Sequence, residues 1–308
     1  MKGKKILGML AMLLILLAAA SFIFGILPLP RPAEGEGVTA ENRAKEGIQG
    51  PSLFSWEDEP YRLERRGDFY AVLERLNIRR LYQYISDEAL YTEEVDSLLR
   101  QTQNLGVEVF YLTGQKDWFL PKRQGQLFLA IDRIAAYNQT RGEAPGFQGI
   151  VFDVEPYLTS EWDADPDSAM AGFTAAMTAA YDHAKEQDLE VVLCLPYWFD
   201  GDYSQELEQL IAQACDVAAI MNYDRADEAD NLETEVRYAQ AAGKGLECIF
   251  EFQEPGRHEL TDNETYYNEG VAAAQAAFER LSELLDYERL GLSYHYYLPL
   301  RELIYGEE

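Results

Sequence analysis

From residue 53 onward the chain alternates two kinds of hydrophobic pattern. Short apolar runs are followed by longer stretches in which apolar residues recur every three to four positions, with turn formers between them. The runs predict strands at 53–56, 81–86, 107–113, 149–155, 190–196, 217–223, 246–252 and 290–296. The stretches between and after them predict helices at 68–76, 93–105, 126–138, 167–187, 205–214, 232–242, 269–285 and 300–304. Strict strand–helix alternation specifies an α/β fold with a parallel sheet, and eight such units in ~250 residues match a (β/α)8 TIM barrel. A doubly wound open sheet is the structural rival. It needs no eighth unit, and no GxGxxG turn follows a strand in this chain.

The N-terminus has a different pattern. Lys2, Lys4 and Lys5 precede an uncharged apolar stretch over residues 6–29, longer than the roughly 20 residues that cross a bilayer. It predicts a transmembrane signal anchor that keeps the lysines cytoplasmic and exports the remainder. A signal peptide cleaved after Ala18-Ala19-Ala20 is the alternative and would make the protein secreted. Residues 30–51 are rich in Gly, Pro, Glu and Ala and read as a flexible tether. The expected organisation is therefore an anchor at 1–29, a linker at 30–51 and a barrel at 52–308, placed outside a cell membrane on a single span.

Charge narrows the partners. The 308 residues carry a formal net charge of -28, so nucleic acid and anionic lipid are repelled, and membrane contact is expected through the N-terminal helix only. Cys194 and Cys248 lie in apolar runs and read, with Cys215, as small buried hydrophobes. The three histidines, at 183, 258 and 295, lack metal-ligand spacing. Neither a metal nor a cofactor is expected.

The candidate chemistry lies at the C-terminal ends of the strands, where barrels carry their sites. Strand 4 ends Phe152-Asp153-Val154-Glu155. Side chains alternate faces along a strand, so Asp153 and Glu155 point the same way. Two carboxylates on one face of an apolar strand are costly unless partnered. They suit a reaction in which one carboxyl keeps a proton and its neighbour stays charged, as glycosidic-bond chemistry demands. The alternative is that both acids simply cap the strand and the next helix. The other strand ends add Tyr197 and Trp198, then Met221, Asn222, Tyr223 and Asp224, then Glu251, then Tyr294 and Tyr296; Trp118 lies in the loop after strand 3. Aromatic faces stack on sugar rings, and carboxylates and amides bind hydroxyls, so a carbohydrate ligand fits this set.

Two of these ends resemble glycoside hydrolase family 18, the chitinase-like barrels. That family has Asp-x-x-Asp-x-Asp-x-Glu on strand 4; here the stretch reads Gln148-Gly149-Ile150-Val151-Phe152-Asp153-Val154-Glu155. The last Asp and the Glu match, while Gln148 and Val151 stand at the first two Asp positions. The family's Met-x-Tyr-Asp on strand 6 is present as Met221-Asn222-Tyr223-Asp224. The family's Trp on strand 8 is replaced by Tyr294 and Tyr296. The resemblance implies a substrate-assisted retaining mechanism. Glu155 would protonate the glycosidic oxygen, the substrate's own 2-acetamido oxygen would attack the anomeric carbon, and Asp153 and Tyr223 would orient that acetamide. Asp224, Asn222, Met221, Trp118, Tyr197, Trp198, Glu251, Tyr294 and Tyr296 would contact the sugar. A chitin-like oligosaccharide or peptidoglycan is the implied substrate, the second suiting an exported, tethered chain.

Two other functions stay open on the residues alone. A retaining two-glutamate barrel would pair Glu155 as acid/base with Glu251 as nucleophile, although Glu251 reads more simply as an outward residue of an ordinary strand. A non-catalytic glycan-binding barrel would keep the aromatics without turnover. For the anchor, we expect N-terminal sequencing of membrane-fraction protein to find residues 6–27 still attached; release with a mature start near Ser21 would identify a cleaved signal instead.

Overall fold

The computed structural model describes residues 50–62 and 66–306. The predicted anchor and nearly all of the tether lie outside the described residues. Among the described residues no helix is long and apolar enough to cross a membrane.

Eight parallel strands close into a barrel in sequence order. They are β1 (Ser52–Ser55), β2 (Arg80–Tyr84), β3 (Glu108–Thr113), β4 (Gly149–Phe152), β5 (Glu190–Pro196), β6 (Val217–Met221), β7 (Gly245–Glu251) and β8 (Leu290–His295). The helices are α1 (Arg66–Arg75), α2 (Glu93–Asn104), α3 (Gly125–Arg141), α4 (Ser160–Ala164), α5 (Pro166–Glu186), α6 (Phe199–Asp202), α7 (Ser204–Gln213), α8 (Asp230–Ala242), α9 (Gly270–Leu285) and α10 (Tyr297–Tyr305). Each predicted strand and helix is present, the strand at 190–196 with the same ends and the others with shifted ends, and the short helices α4 and α6 are additions.

Period-2 alternation divides every strand between two environments. Leu53, Leu81, Ile150, Val191, Leu193, Ala218, Leu246 and Leu292 face the helices and belong to the large outer core. Phe54, Tyr82, Phe110, Leu112, Val151, Val192, Ala219 and Ile249 face inward and fill the barrel. On several strands the inward residue one step earlier is polar, as at Ser52, Arg80, Glu190 and Glu247. Glu247 accepts hydrogen bonds from Ser52 Oγ at 2.7 Å, Tyr82 Oη at 2.7 Å and Ser293 Oγ at 2.6 Å. Arg80 donates to Glu190 at 2.8 Å, both side chains buried. Such charges are tolerated inside because each is paired. Burial and the Glu247 carboxylate push Tyr82 well above its ordinary range, so its hydroxyl remains a donor.

Two glycines let neighbouring backbones approach. A Cβ at Gly149 would lie 2.1 Å from the Glu190 carbonyl oxygen and 2.8 Å from Phe110 Cε1. A Cβ at Gly114, just past β3, would lie 1.9 Å from the Asp153 carbonyl oxygen. Asp153 N–H donates to the Thr113 carbonyl at 3.0 Å, so the two chains stay paired one residue beyond β4. β4 itself stops at Phe152 and not at the predicted residue 155. Pro156 has no N–H to continue a ladder and opens a 3₁₀ turn over Pro156–Leu158.

Gly114→Ala should therefore destabilise the barrel by about 1–3 kcal/mol, read as a lower urea midpoint, because backbone has to move. The same shift should displace Asp153.

Candidate active site

The C-terminal ends of the strands surround a cavity of ≈ 690 Å³ lined by Trp56, Asp153, Glu155, Tyr223, Glu251 and His295, among others. The inward alternation of β4 continues past the strand's end, carrying Val151, Asp153 and Glu155 up one face. On β6 the same alternation takes Ala219, Met221 and Tyr223 to the cavity.

Asp153 sits on an apolar floor. Val151, two residues below, is fully buried beside Leu112 and Val192 on the flanking strands. Asp153 Oδ1 is buried with no hydrogen-bond partner. Burial, and next the charge of Glu155, push the Asp153 carboxyl up to about 7, against an opposing pull from His295. A site expected to hold a charged Asp153 thus holds a carboxyl that gains and loses its proton near neutrality. Glu155 is half-buried and accepts a hydrogen bond from Tyr157 Oη. Tyr157 is braced edge-on by Trp198, with ring centroids 5.4 Å apart. Burial, Glu251 and Asp153 push Tyr223 well above its ordinary range, so its phenol stays a proton donor.

Glu251 is the largest departure from expectation. It points inward in step with Glu247 and Ile249 and is only 2% exposed. Its Oε1 accepts from the backbone N–H of Phe252 and of Gln253, each at 2.8 Å. Its Oε2 accepts from Gln253 Nε2 at 3.1 Å and pairs with His295 Nδ1 at 2.7 Å. Burial opposes ionisation, but His295 and these donors hold Glu251 below the usual carboxylate range. Trp56 Nε1 approaches His295 Nε2 at 3.1 Å. An indole N–H only donates, so Nε2 is the acceptor and the proton sits on Nδ1, facing Glu251. Burial disfavours the His295 cation, yet Glu251, followed by Asp153 and Glu155, raises its pKa above the ordinary 6.5.

Other predicted residues are placed variously. Met221 and Tyr296 line the cavity. Tyr294 does not: it is fully buried on the outer face, where Gln275 Nε2 donates to its hydroxyl at 2.9 Å. Asn222 also faces away, bonding Asn231 Nδ2 at 2.6 Å and the Glu228 carbonyl at 3.0 Å. Asp224 organises the loop after β6 by accepting from Asn263 Nδ2 at 2.7 Å. Tyr197 and Trp198 pack against the outer core. Trp118 lines a separate cavity of ≈ 310 Å³ with Tyr84, Tyr111 and Arg133. Sequence reasoning missed His295, Trp56 and Gln253. Inward parity on β8, counted from Ser293, singles out His295 and excludes Tyr294. Among the described residues no group of three or more His, Cys, Asp or Glu side chains is arranged to hold a metal ion.

No protein-family model matches the chain, and no curated protein matches it. Solved structures do resemble it. A family 18 chitinase from Pseudoalteromonas aurantia superposes with a TM-score of 0.55 at 9% identity, over 80% of this chain and 94% of that one. What the two share is the (β/α)8 barrel fold. A spore cortex-lytic enzyme from Bacillus megaterium gives a TM-score of 0.52 at 11% identity, over 83% of this chain and 72% of that one. A D-psicose 3-epimerase from Clostridium cellulolyticum gives 0.50 at 10% identity, over 80% and 85%. At these identities the likeness is one of fold, so the reaction of this barrel is argued from its side chains.

The raised Asp153 carboxyl fixes a pH dependence. Its folded-state pKa, about 7, lies above the unfolded value of ~3.9, so the folded state holds the extra proton between them. Its contribution to stability is therefore lost as pH rises through that window and stays lost above it. Asp153→Asn should remove this component and stabilise the protein at pH 8 more than at pH 4, by an amount on the order of a few kcal/mol. Urea unfolding of both proteins at the two pH values measures the difference.

Proposed function

We propose that this barrel is a glycoside hydrolase acting on a glycan that contains 2-acetamido sugars, by substrate-assisted retaining hydrolysis. The observation that carries the reading is the convergence of Asp153, Glu155 and Tyr223 on one cavity at the C-terminal mouth. Glu155 gives its proton to the glycosidic oxygen as that bond breaks. The acetamide oxygen attacks the anomeric carbon and closes a five-membered ring. Asp153 accepts the acetamide N–H, and the Tyr223 phenol donates to the acetamide oxygen. Water then opens the ring and returns a proton to Glu155, so the enzyme ends as it began. A chitin-like oligosaccharide or peptidoglycan supplies the required sugar, and the likeness to a cortex-lytic enzyme favours a bacterial wall glycan. We place the barrel outside the cell membrane, tethered by residues 6–29.

The two-glutamate reading gains one observation, since Glu251 shares the cavity with Glu155. Yet both Glu251 oxygens are engaged by the four contacts described above. A carboxylate offers about four lone-pair sites, so a nucleophilic attack has to break one of these bonds first.

Hydrolysis of matched glycosides with and without the 2-acetamido group separates the readings. Glu155→Gln should lose about 10²–10⁴-fold in kcat while retaining binding, Asp153→Asn should also slow turnover, and sugars lacking the acetamide should resist cleavage. Equal cleavage of both sugars, with Glu251→Gln as damaging as Glu155→Gln, rejects substrate assistance. Binding without turnover by the wild type identifies a glycan-binding barrel.

A further inference from the structure

Asp153 has no polar partner below it on β4, because Val151 is apolar and buried. Across the barrel axis, four strands away around the ring, β8 presents His295 to the same cavity. We infer that His295, held by Glu251, is the positioning residue that sets the charge on Asp153, and that Trp56 responds to which of the two carries the proton. The inference rests on the reading of Asp153 as the carboxylate that holds the acetamide.

The imidazole is fixed on every side. Nδ1 is bound to Glu251 at 2.7 Å and Nε2 to Trp56 at 3.1 Å. Its ring packs against Phe54 at 5.6 Å, Tyr223 at 6.3 Å and Tyr296 at 5.1 Å between centroids. Glu251 is pinned by two backbone N–H groups, so the anion behind the imidazole does not move. The titratable groups lining the cavity around His295 are Glu251 from β7, Asp153 and Glu155 beyond β4, Tyr223 beyond β6, Tyr296 beyond β8, Glu57 beyond β1, and His258 and Glu259 in the loop after β7. Among the described residues no Lys or Arg lines it, and His258 is exposed. His295 is therefore the partly buried basic group that shares the cavity with Asp153.

One proton then has two homes. On Asp153, it leaves a neutral imidazole whose Nε2 accepts the Trp56 N–H, as observed. On Nε2, it makes an imidazolium held by Glu251 in the cavity that Asp153 also lines, leaves Asp153 anionic and able to accept an acetamide N–H, and deprives Trp56 of its acceptor. Total charge is the same in both states. Two coupled titrating sites shift each other equally, because linkage is reciprocal.

The test uses the full-length chain in detergent micelles, with ¹⁵N-histidine and ¹³C-carboxyl labels followed by NMR against pH; only three histidines have to be assigned. Asp153→Asn should lower the His295 titration by about one pH unit, about tenfold in its acid constant, and His295→Gln should raise the Asp153 titration by the same amount. Trp56→Phe removes a bond made only to the neutral ring, so it should raise the His295 titration. In kcat/KM, His295→Gln should move the acid limb to higher pH; a merely structural role would lower kcat/KM across the whole profile and leave that limb in place. Titrations that ignore one another overturn the inference, as does an unmoved acid limb. Hydrolysis without reciprocal titration sinks the coupling and leaves the proposed function standing. Reciprocal titration without any wild-type hydrolysis sinks the proposed function and upholds the coupling. If His295→Gln does not fold, Asp153→Asn and Trp56→Phe decide the matter by themselves.

Discussion

The apolar layer formed by Phe54, Phe110, Leu112, Val151, Val192, Ala219 and Ile249 separates two polar sets of inward side chains. Below it, Glu247 and Glu190 have partners drawn from Ser52, Tyr82, Ser293 and Arg80. Above it, Asp153 has an apolar floor and an oxygen without a partner. A carboxyl in that position finds its charged form penalised by burial. The chemistry of the mouth follows from this arrangement. An acid that cannot be stabilised from underneath has its charge decided by what faces it across the cavity.

The cavity accordingly has two poles. On the β4 side, Asp153 and Glu155 carry few hydrogen bonds and are left for a ligand to engage. On the β7–β8 side, Trp56, His295, Glu251 and Gln253 form one hydrogen-bonded chain. Buried polar chains of this kind fix geometry when they are complete. The first pole resembles family 18 in its residues, whereas the second does not, since His295 stands at the inward strand 8 position.

The architecture was legible because barrels are built from repetition. Eight apolar runs, each followed by an amphipathic stretch, leave few alternatives, and sequential parallel pairing follows from the alternation. The inward direction of Asp153 and Glu155 was legible from their i, i+2 spacing, since that depends only on backbone geometry. Where a strand stops was harder to read: the run 149–155 looks uniform, yet Pro156 ends its ladder early. The parity of a strand's last residues is not legible in the sequence: Tyr294 and Asn222 are expected at the mouth and Glu251, in its simpler reading, outward, and each faces the other way. An aromatic and an acid are each common on both faces, so composition carries no parity signal; only the paired register across neighbouring strands assigns it.

Sequence alone determined what is periodic or adjacent: strand order, the helical cover, the carboxylate pair on β4, and Met221-Asn222-Tyr223-Asp224 at the end of β6. Tertiary structure decided what is convergent. Asn222 and Tyr223 are neighbours in sequence but face opposite sides of the sheet, while Trp56, Glu251 and His295 come from β1, β7 and β8 and touch only because the ring closes. Closure brings residues hundreds of positions apart within hydrogen-bond distance, and local pattern holds no record of such distances. The raised pKa of Asp153 belongs to the same class, because it arises first from burial, which only the folded chain decides.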